Sequence, residues 1–145
     1  MSFLLDTCFV SEFTRRRADE GVVRWLAAQD ESALYLSAVT VGELEKGLAQ
    51  LRDVGRRKRL RGFIEVEIIE RFRGRIVCPD EQVWRRWGAL CGASERTGGG
   101  PLPVLDALIA AVAQVHGLTV VTRNEADFAR CEVPVLNPWS SASRT

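Results

Sequence analysis

Apolar and polar positions fall into two repeating patterns along this chain. Short, nearly continuous apolar runs are typical of strands that are buried on both faces of a sheet. They occur at residues 3–5, 34–39, 75–80, 118–122 and 133–136. Stretches with helical spacing separate them, at residues 10–17, 22–28, 40–51, 53–73, 81–96, 104–116 and 123–128. This alternation predicts a three-layer α/β/α sandwich with a mostly parallel central sheet.

Two helical stretches carry features that bear on function. The stretch 104–116 is apolar almost all round, which predicts a buried helix, yet it contains Asp106. A buried carboxylate is costly unless it is paired or binds a metal, and no basic residue lies within a turn of Asp106 on this helix. The stretch 40–51 opens with Thr40-Val41-Gly42-Glu43, which has the form of a capping box and predicts a helix start there.

Length and charge narrow the class of protein. With 145 residues and 46% hydrophobic content, the chain is predicted to form one domain, residues 1–139, followed by a short flexible Ser-rich tail, residues 140–145. The net charge of +1 excludes a polycation that holds nucleic acid by bulk charge. Any contact with a polyanion must therefore be made by a local cluster of basic residues.

Cysteine and histidine usage bears on metal chemistry and compartment. The chain has four widely spaced cysteines, no C-x-x-C pair and a single histidine, so neither a structural zinc site nor a disulfide framework is expected. His116 is expected to pack at a helix end rather than to act as a base. No apolar run approaches the length of a membrane span, and we expect a reduced, cytoplasmic protein without membrane contact.

Acidic and amide side chains follow several of the predicted strands or lie in the first turns of helices. They are Asp6, Glu43, Asp106, Asn124 and Asp127. Each also has a local explanation as a helix cap, a turn residue or a first-turn acid, and Asp80 shows that the same local pattern can be only a cap. In a parallel sheet, however, all strand-to-helix transitions fall on one edge, so we expect these side chains to meet.

Carboxylates that converge on one pocket repel one another, and a hard divalent cation with oxygen ligands relieves that repulsion. Mg²⁺ or Mn²⁺ suits such a site best. Such ions activate water and are commonly completed by substrate phosphates. The pattern therefore predicts metal-dependent phosphodiester hydrolysis, with no protein nucleophile.

Four segments resemble the PIN-domain ribonucleases, and more narrowly the VapC toxins of prokaryotic toxin–antitoxin pairs. They are residues 4–7, 37–44, 106–111 and 116–124, while residues 135–139 are similar to the FitB-like branch. The resemblance implies a Mg²⁺- or Mn²⁺-dependent endoribonuclease, usually a homodimer, that a small cognate antitoxin inhibits. It also implies that Asp6, Glu43 and Asp106 are the metal-binding acids.

The fourth acidic position departs from the family pattern. Asn124 stands where relatives often have Asp, and Asp127 lies one turn further on, so either could complete the site. Thr7 and Thr122 are expected to orient ligands or waters through their hydroxyls. An alternative function remains open, a non-catalytic PIN-like binding module with a decayed metal site that acts by sequestering a partner or RNA.

Basic and aromatic residues supply candidates for binding. Arg15, Arg16, Arg56 and Arg57 belong to two Arg-rich clusters that could bind the RNA backbone, contact an antitoxin or form a solvated helix face. The four tryptophans are expected in the core or at a dimer interface rather than as platforms for bases.

Overall fold

Five parallel strands form the centre of the computed structural model, which describes residues 1–140. Their order in the sheet is β3-β2-β1-β4-β5. The strands are β1 (Phe3–Leu5), β2 (Leu34–Ser37), β3 (Ile76–Val77), β4 (Thr119–Val121) and β5 (Val135–Leu136). Helices cover the sheet on both sides, and the predicted α/β/α sandwich with a parallel sheet is confirmed.

Within residues 1–140, seven α-helices connect the strands. They are α1 (Thr7–Glu12), α2 (Glu20–Ala27), α3 (Ala38–Gln50), α4 (Val54–Phe63), α5 (Glu81–Arg96), α6 (Val104–His116) and α7 (Glu125–Ala129). A short 3₁₀ turn spans Glu31–Ala33. The helix predicted at 53–73 consists of α4 and a π-helical segment, Ile64–Glu70, that follows it directly. At the end of this segment the Arg71 N–H donates to the Val66 carbonyl, five residues earlier, at 3.1 Å.

The start of α3 corrects the predicted capping box. The helix begins at Ala38, and the Ser37 hydroxyl caps it by accepting a hydrogen bond from the Val39 N–H at 3.1 Å. Ser37 thus ends β2 and caps α3 at once, so Thr40 and Glu43 lie inside the helix rather than at its head. The two side chains, three residues apart, share one helix face.

The core has two halves, one on each side of the sheet. On one side α6 buries seven consecutive residues, 107–113, against β1, β4 and α5, which confirms the predicted buried helix. Several of these residues are alanines, whose small side chains let the helix approach the sheet closely. On the other side Leu5, Phe9 and Trp139 pack together with α3 and the π-helical segment.

The strand order creates a switch point between β1 and β4. From β1 the chain adds β2 and β3 on one side of the sheet, then returns to add β4 and β5 on the other. In such sheets the connections diverge beyond the carboxyl ends of the two central strands and leave a crevice that binds ligands. The Asp6 N–H bonds to the Val121 carbonyl at 3.0 Å, so the ends of β1 and β4 are joined at this crevice.

The end of the described chain packs against the α1–α2 connection. Trp139 is 1% exposed, and Ser140 donates hydrogen bonds to Asp19 from its N–H at 2.9 Å and its hydroxyl at 2.7 Å. Ser140, assigned to the tail from the sequence, is therefore held against the domain, while residues 141–145 of that tail lie outside the described residues. Within residues 1–140, no helix is long and apolar enough to cross a membrane.

Candidate active site

Asp6 lies at the centre of the crevice between β1 and β4 and is only 3% exposed. One carboxylate oxygen, Oδ1, caps α1 by accepting a hydrogen bond from the Thr7 N–H at 2.8 Å. The other, Oδ2, accepts one from the Thr122 hydroxyl, which follows β4, at 2.7 Å. The local interpretation as a helix cap is therefore correct but incomplete, because the second oxygen joins the two central strands.

The pKa of Asp6 is raised above its usual value, mainly because burial disfavours the charged form. Hydrogen bonds from Thr122, Thr7 and Cys8 favour the charged form and offset part of this effect. The negative charge of Asp127 raises the pKa further. The site therefore holds a carboxylate that is costly to ionise although three donors point at it.

Glu43 reaches the same crevice from α3. Its Oε1 accepts a hydrogen bond of 2.6 Å from the Thr7 hydroxyl. The Thr7 hydroxyl has one proton, which this bond uses. The Thr40 hydroxyl, 2.9 Å away, is therefore the donor in the bond between the two threonines. The chain Thr40 to Thr7 to Glu43 orients the carboxylate and links α3 to the start of α1.

Asp106 enters from the first turn of α6 and is half-buried. Burial raises its pKa to about 6, and the negative charges of Asp6, Asp127 and Glu43 add to the shift. Four carboxylates from four helical segments therefore act on one another here. Within residues 1–140, none of the four forms an ion pair with a lysine, arginine or histidine.

The segment after β4 supplies the remaining candidates. Asn124 precedes α7 and is exposed, but its side chain makes no capping hydrogen bond, so the cap interpretation is wrong for it. Its N–H donates to the Thr122 hydroxyl at 3.0 Å. Asp127 is half-buried in α7, and its charge acts on both Asp6 and Asp106. Asp127 thus acts on the other acids through its charge, whereas Asn124 carries none.

The donor set suits a hard divalent cation. It consists of carboxylate oxygens and one nearby amide, with no protein cation to offset their charge. In the arrangement described, no three His, Cys, Asp or Glu side chains of residues 1–140 are close enough together to hold a metal ion. Glu43 and Asp6 are instead bonded to hydroxyls, which would have to share these oxygens with a bound cation.

Two other acidic or basic residues are excluded from the cluster. Asp80 accepts a hydrogen bond from the Val83 N–H at 3.0 Å and caps α5, beside the edge strand β3. His116 ends α6, ten residues and therefore about 15 Å of helix from Asp106. It is exposed, so the prediction that it packs at the helix end is wrong, and it lies too far away to act as a base at the cluster.

Cys8 and Thr40 contact the side chains of the site, and their contacts were not predicted from the sequence. The Cys8 sulfur lies 3.3 Å from the Thr122 hydroxyl and 3.4 Å from Asp6 Oδ2. Burial and the charge of Asp6 raise the pKa of Cys8 to about 11, so it remains a neutral thiol. The spacing of Cys8 from Asp6, in the first turn of a helix, was the available signal. For Thr40 the signal was its spacing from Glu43, which was interpreted as a cap.

Within residues 1–140, the Arg-rich clusters form no ion pair with the four carboxylates of the site. Arg15 pairs with Glu12 at 3.4 Å, and Arg16 is exposed in the connection between α1 and α2. Arg56 and Arg57 are exposed in the first turns of α4. Arg56 also borders an open groove of about 430 Å³, whose lining includes Phe13, Leu60 and Phe63.

The four tryptophans have different environments. Trp139 is in the core, and Trp25 packs edge-to-face against Phe3 and Phe9 at centroid distances of 5.0 and 5.6 Å. On α5, Trp84 is 48% exposed and contacts the partly buried Trp87 at 5.5 Å. Of the two predicted locations, core or dimer interface, the core is therefore confirmed for Trp139, while Trp84 lies on the surface and its location at an interface stays a prediction.

Comparisons with known proteins agree with this arrangement. The sequence profile of the PIN domain matches residues 3–133. The chain is 35% identical over 139 residues to a VapC ribonuclease of Sinorhizobium fredii, covering 96% of this chain and 99% of that protein. It is 38% identical over 136 residues to toxin FitB of Neisseria gonorrhoeae, covering 94% and 97%. The crystal structure of FitAcB from Neisseria gonorrhoeae superposes with a TM-score of 0.87 at 38% identity, covering 94% of this chain and 98% of that one.

Proposed function

The chain belongs to the PIN-domain family, and from this premise we propose that it is a metal-dependent endoribonuclease, the toxin of a toxin–antitoxin pair. The substrate is RNA, and the reaction is hydrolysis of a phosphodiester bond in the cytoplasm. The observation that carries this proposal is the group of four carboxylates at the switch point. All the charges that shift the pKa of Asp6 and Asp106 are themselves negative.

Mg²⁺ or Mn²⁺ would be held by Asp6, Glu43 and Asp106, with Asp127 or Asn124 completing the site. When bound, such a cation supplies Lewis-acid activation of water and offsets negative charge on the scissile phosphate. It would also lower the pKa of Asp106 from its present value of about 6, because an opposite charge favours the carboxylate form.

The chain's own side chains orient the acids. Thr122 holds Asp6 Oδ2 from β4, and Thr7 holds Glu43 Oε1 from α1. These hydroxyls fix one oxygen of each carboxylate and leave the opposing lone pairs for ligation or for a water. Burial of Asp6 keeps bulk water out of the crevice floor and strengthens every electrostatic interaction there.

Neutral variants of the acids test the proposal. Asp6→Asn and Asp106→Asn should each abolish Mn²⁺-dependent cleavage of single-stranded RNA, while circular dichroism shows an unchanged fold. Asp80→Asn is the matched control, because Asp80 also follows a strand but only caps α5, a role that Asn fills equally well. Cleavage by the Asp6 and Asp106 variants at the wild-type rate would refute the assignment.

The alternative, a non-catalytic binding module, makes a different prediction. In that case Mn²⁺ would neither raise the melting temperature of the wild-type protein nor produce cleavage, although RNA or a partner protein could still bind. Measuring both responses on the same preparation separates the two functions. The coupled carboxylates favour the enzyme, since a binding module gains nothing from an unneutralised buried acid.

The proposed protein partner is a small antitoxin that binds an apolar groove beside α4. Two adjoining cavities of about 270 and 430 Å³ share Phe13 and Phe63 in their linings. Arg56 and Arg59 border the larger cavity, so that part of the groove suits an apolar segment that carries acidic residues. Phe63→Glu should reduce capture of the protein encoded by the neighbouring reading frame on co-expression, whereas Val54→Glu, on an exposed site outside both cavities, should not.

A homodimer is the proposed assembly. Trp84 is 48% exposed near the start of α5, and Val104 and Leu105 are 59% and 41% exposed at the start of α6. The two helices run antiparallel, since Arg86 of α5 bonds to Gln114 near the end of α6, so these groups lie at opposite ends of the pair. Exposed apolar side chains at both ends suit a contact with a second copy along the pair. Leu105 is adjacent to Asp106 in sequence, so a contact at that end would adjoin the acidic site.

A further inference from the structure

Arg123 lies between two residues of the candidate active site. It follows Thr122, which bonds to Asp6, and it precedes Asn124. The Asn124 N–H donates a hydrogen bond to the Thr122 hydroxyl at 3.0 Å, which holds the backbone on both sides of Arg123 at the floor of the crevice. The side chain of Arg123 is exposed. The backbone of Arg123 is therefore held beside Asp6, while its guanidinium reaches solvent.

The guanidinium is held over an aromatic ring. Its central carbon lies 5.3 Å from the centroid of the Trp139 ring. Trp139 is itself anchored, because its indole Nε1–H donates to Glu12 Oε1 at 3.3 Å and its ring meets Phe9 edge-to-face at 6.1 Å. Glu12 is 3% exposed and also accepts a hydrogen bond from the Asp19 N–H at 2.9 Å. The platform under Arg123 is thus a rigid part of the core.

A cation–π contact positions an arginine without using its N–H donors. Within the described chain, residues 1–140, Arg123 forms no ion pair and no side-chain hydrogen bond. The nearby acid Glu125 accepts a hydrogen bond from Asn137 at 3.0 Å instead. No cation contributes to the pKa shifts of Asp6 or Asp106, so Arg123 does not neutralise the acids either. No group of residues 1–140 therefore uses the five N–H donors of the Arg123 guanidinium.

A cation at this position would offset the electrostatic repulsion between the acidic cluster and RNA. RNA is a polyanion, and four carboxylates at the site repel its phosphates. The chain has a net charge of only +1, so attraction must come from individually placed side chains. In the described part of the chain the two Arg-rich clusters form no ion pair with the four site carboxylates, whereas Arg123 is covalently adjacent to Thr122 and Asn124.

We propose that Arg123 binds a backbone phosphate of the RNA strand beside the acidic cluster, and that Trp139 is the platform that positions it. This inference rests on the proposed function, because it takes RNA as the ligand of the site. The planar guanidinium can donate two parallel hydrogen bonds to one phosphate while its face stays on the indole. Arg123 is a positioning residue for the substrate, and the acids carry the chemistry.

The test compares RNA binding by arginine variants in the Asp106→Asn protein with Mg²⁺ present. The probe is a fluorescein-labelled single-stranded RNA of about ten nucleotides, and anisotropy is followed from about 50 to about 300 mM salt. Arg123→Ala should weaken binding about five- to tenfold and reduce the salt slope by about 0.7, the value for one phosphate contact on a single strand. Arg73→Ala is the matched control, because Arg73 is exposed and precedes β3, at the opposite edge of the sheet.

Two further variants separate phosphate binding from a bracing role. Arg123→Lys should keep the wild-type salt slope, since it keeps the charge, but bind more weakly than arginine does. Trp139→Phe should also keep the slope and lose about two- to threefold in affinity, because the smaller ring is a weaker platform. In the catalytically competent protein, Arg123→Ala should raise KM more than it lowers kcat.

The outcomes are distinguishable. An Arg123→Ala protein whose affinity and salt slope equal those of Arg73→Ala overturns the inference, and Arg123 is then only a brace for Trp139 or a contact for a protein partner. A lowered melting temperature with an unchanged slope overturns it as well. If the wild-type protein binds RNA with the expected dependence on Arg123 but never cleaves it with Mn²⁺, the proposed nuclease function fails and the phosphate contact stands.

Discussion

Replacing Asp106 by Asn should stabilise the metal-free protein while destroying its activity. The pKa of Asp106 rises from 3.8 to about 6 on folding, because burial and three negative neighbours disfavour its charge. Each unit corresponds to about 1.4 kcal/mol, so the full shift corresponds to about 3 kcal/mol. Since the side chain is half-exposed, screening by solvent reduces the recoverable part to about 1 kcal/mol.

The pH dependence has a defined sign. Between the unfolded value near 3.8 and the folded value of about 6, the folded protein binds a proton that the unfolded chain has already released. The stability that this proton contributes is fully present below about pH 4 and is lost as the pH rises through about 6. Asp106→Asn lacks this dependence, so its advantage over wild type should be absent at about pH 4 and complete at about pH 7.

Thermal unfolding with EDTA measures the effect. At about pH 7, Asp106→Asn should melt about 2–4 °C above wild type, as expected for about 1 kcal/mol in a domain of this size. Adding Mn²⁺ at 100 times its dissociation constant should then stabilise wild type by about 2.7 kcal/mol and Asp106→Asn much less, which reverses the order. Asp80→Asn should follow wild type under both conditions. An Asp106→Asn protein that is less stable than wild type in EDTA, or a difference independent of pH, would refute the electrostatic reasoning.

Three further predictions concern the hydroxyl network, the packing of residues 138–140 and the proposed dimer. Thr122→Val removes the 2.7 Å donor to buried Asp6 and should lower the free energy of unfolding, measured in urea at neutral pH, by about 1.5–3 kcal/mol. It should also reduce the rate of RNA cleavage. An unchanged urea midpoint would contradict this reasoning. Gly21→Ala should cost about 1–3 kcal/mol in the same measurement, because its Cβ would lie 2.4 Å from the Pro138 carbonyl oxygen, whereas Gly47→Ala, with open space around it, should be neutral or stabilising. Trp84→Glu should lower the mass measured by analytical ultracentrifugation from that of the proposed dimer to that of a monomer. Val66→Glu, at an equally exposed site on the π-helical segment, should leave the dimer intact. A Trp84→Glu protein that is still a dimer would place the interface elsewhere.

The relatives support the assignment of this chain to the PIN-domain family, and measurements on variants test the roles of individual residues. The chain shares 35–38% identity with a VapC ribonuclease and a FitB toxin over nearly its whole length. Asn124 and Asp127 are the residues at which this chain most needs a direct test. Asp127 has the stronger electrostatic link to Asp6 and Asp106, so Asp127→Asn should weaken Mn²⁺ binding more than Asn124→Ala does. Titration of the two variants, followed by thermal shift, distinguishes them.

Local sequence determined the elements and their order. Continuous apolar runs predicted the five strands, because a strand covered on both faces must be apolar at every position. The nearly all-apolar stretch 104–116 predicted a buried helix for the same reason, and α6 has those bounds. Parallel topology then implied that acids directly after strands share one edge, so the place of Asp6 was predictable from the pattern. Asp106 follows the loop between α5 and α6, and its place depends on how α6 packs.

Only the tertiary structure decided which polar groups meet. Ser37 and Thr40 are both plausible caps by sequence, and the end of β2 selects Ser37, which frees Thr40 and Glu43 to bond with Thr7. The contact of Arg123 with Trp139 joins residues sixteen positions apart through the packing of the chain end against α1. Propensity and periodicity describe neighbours along the chain, whereas hydrogen bonds and charge coupling between distant side chains depend on how helices and strands pack. For that reason the sequence indicated a group of acids, and the fold determined what holds each one.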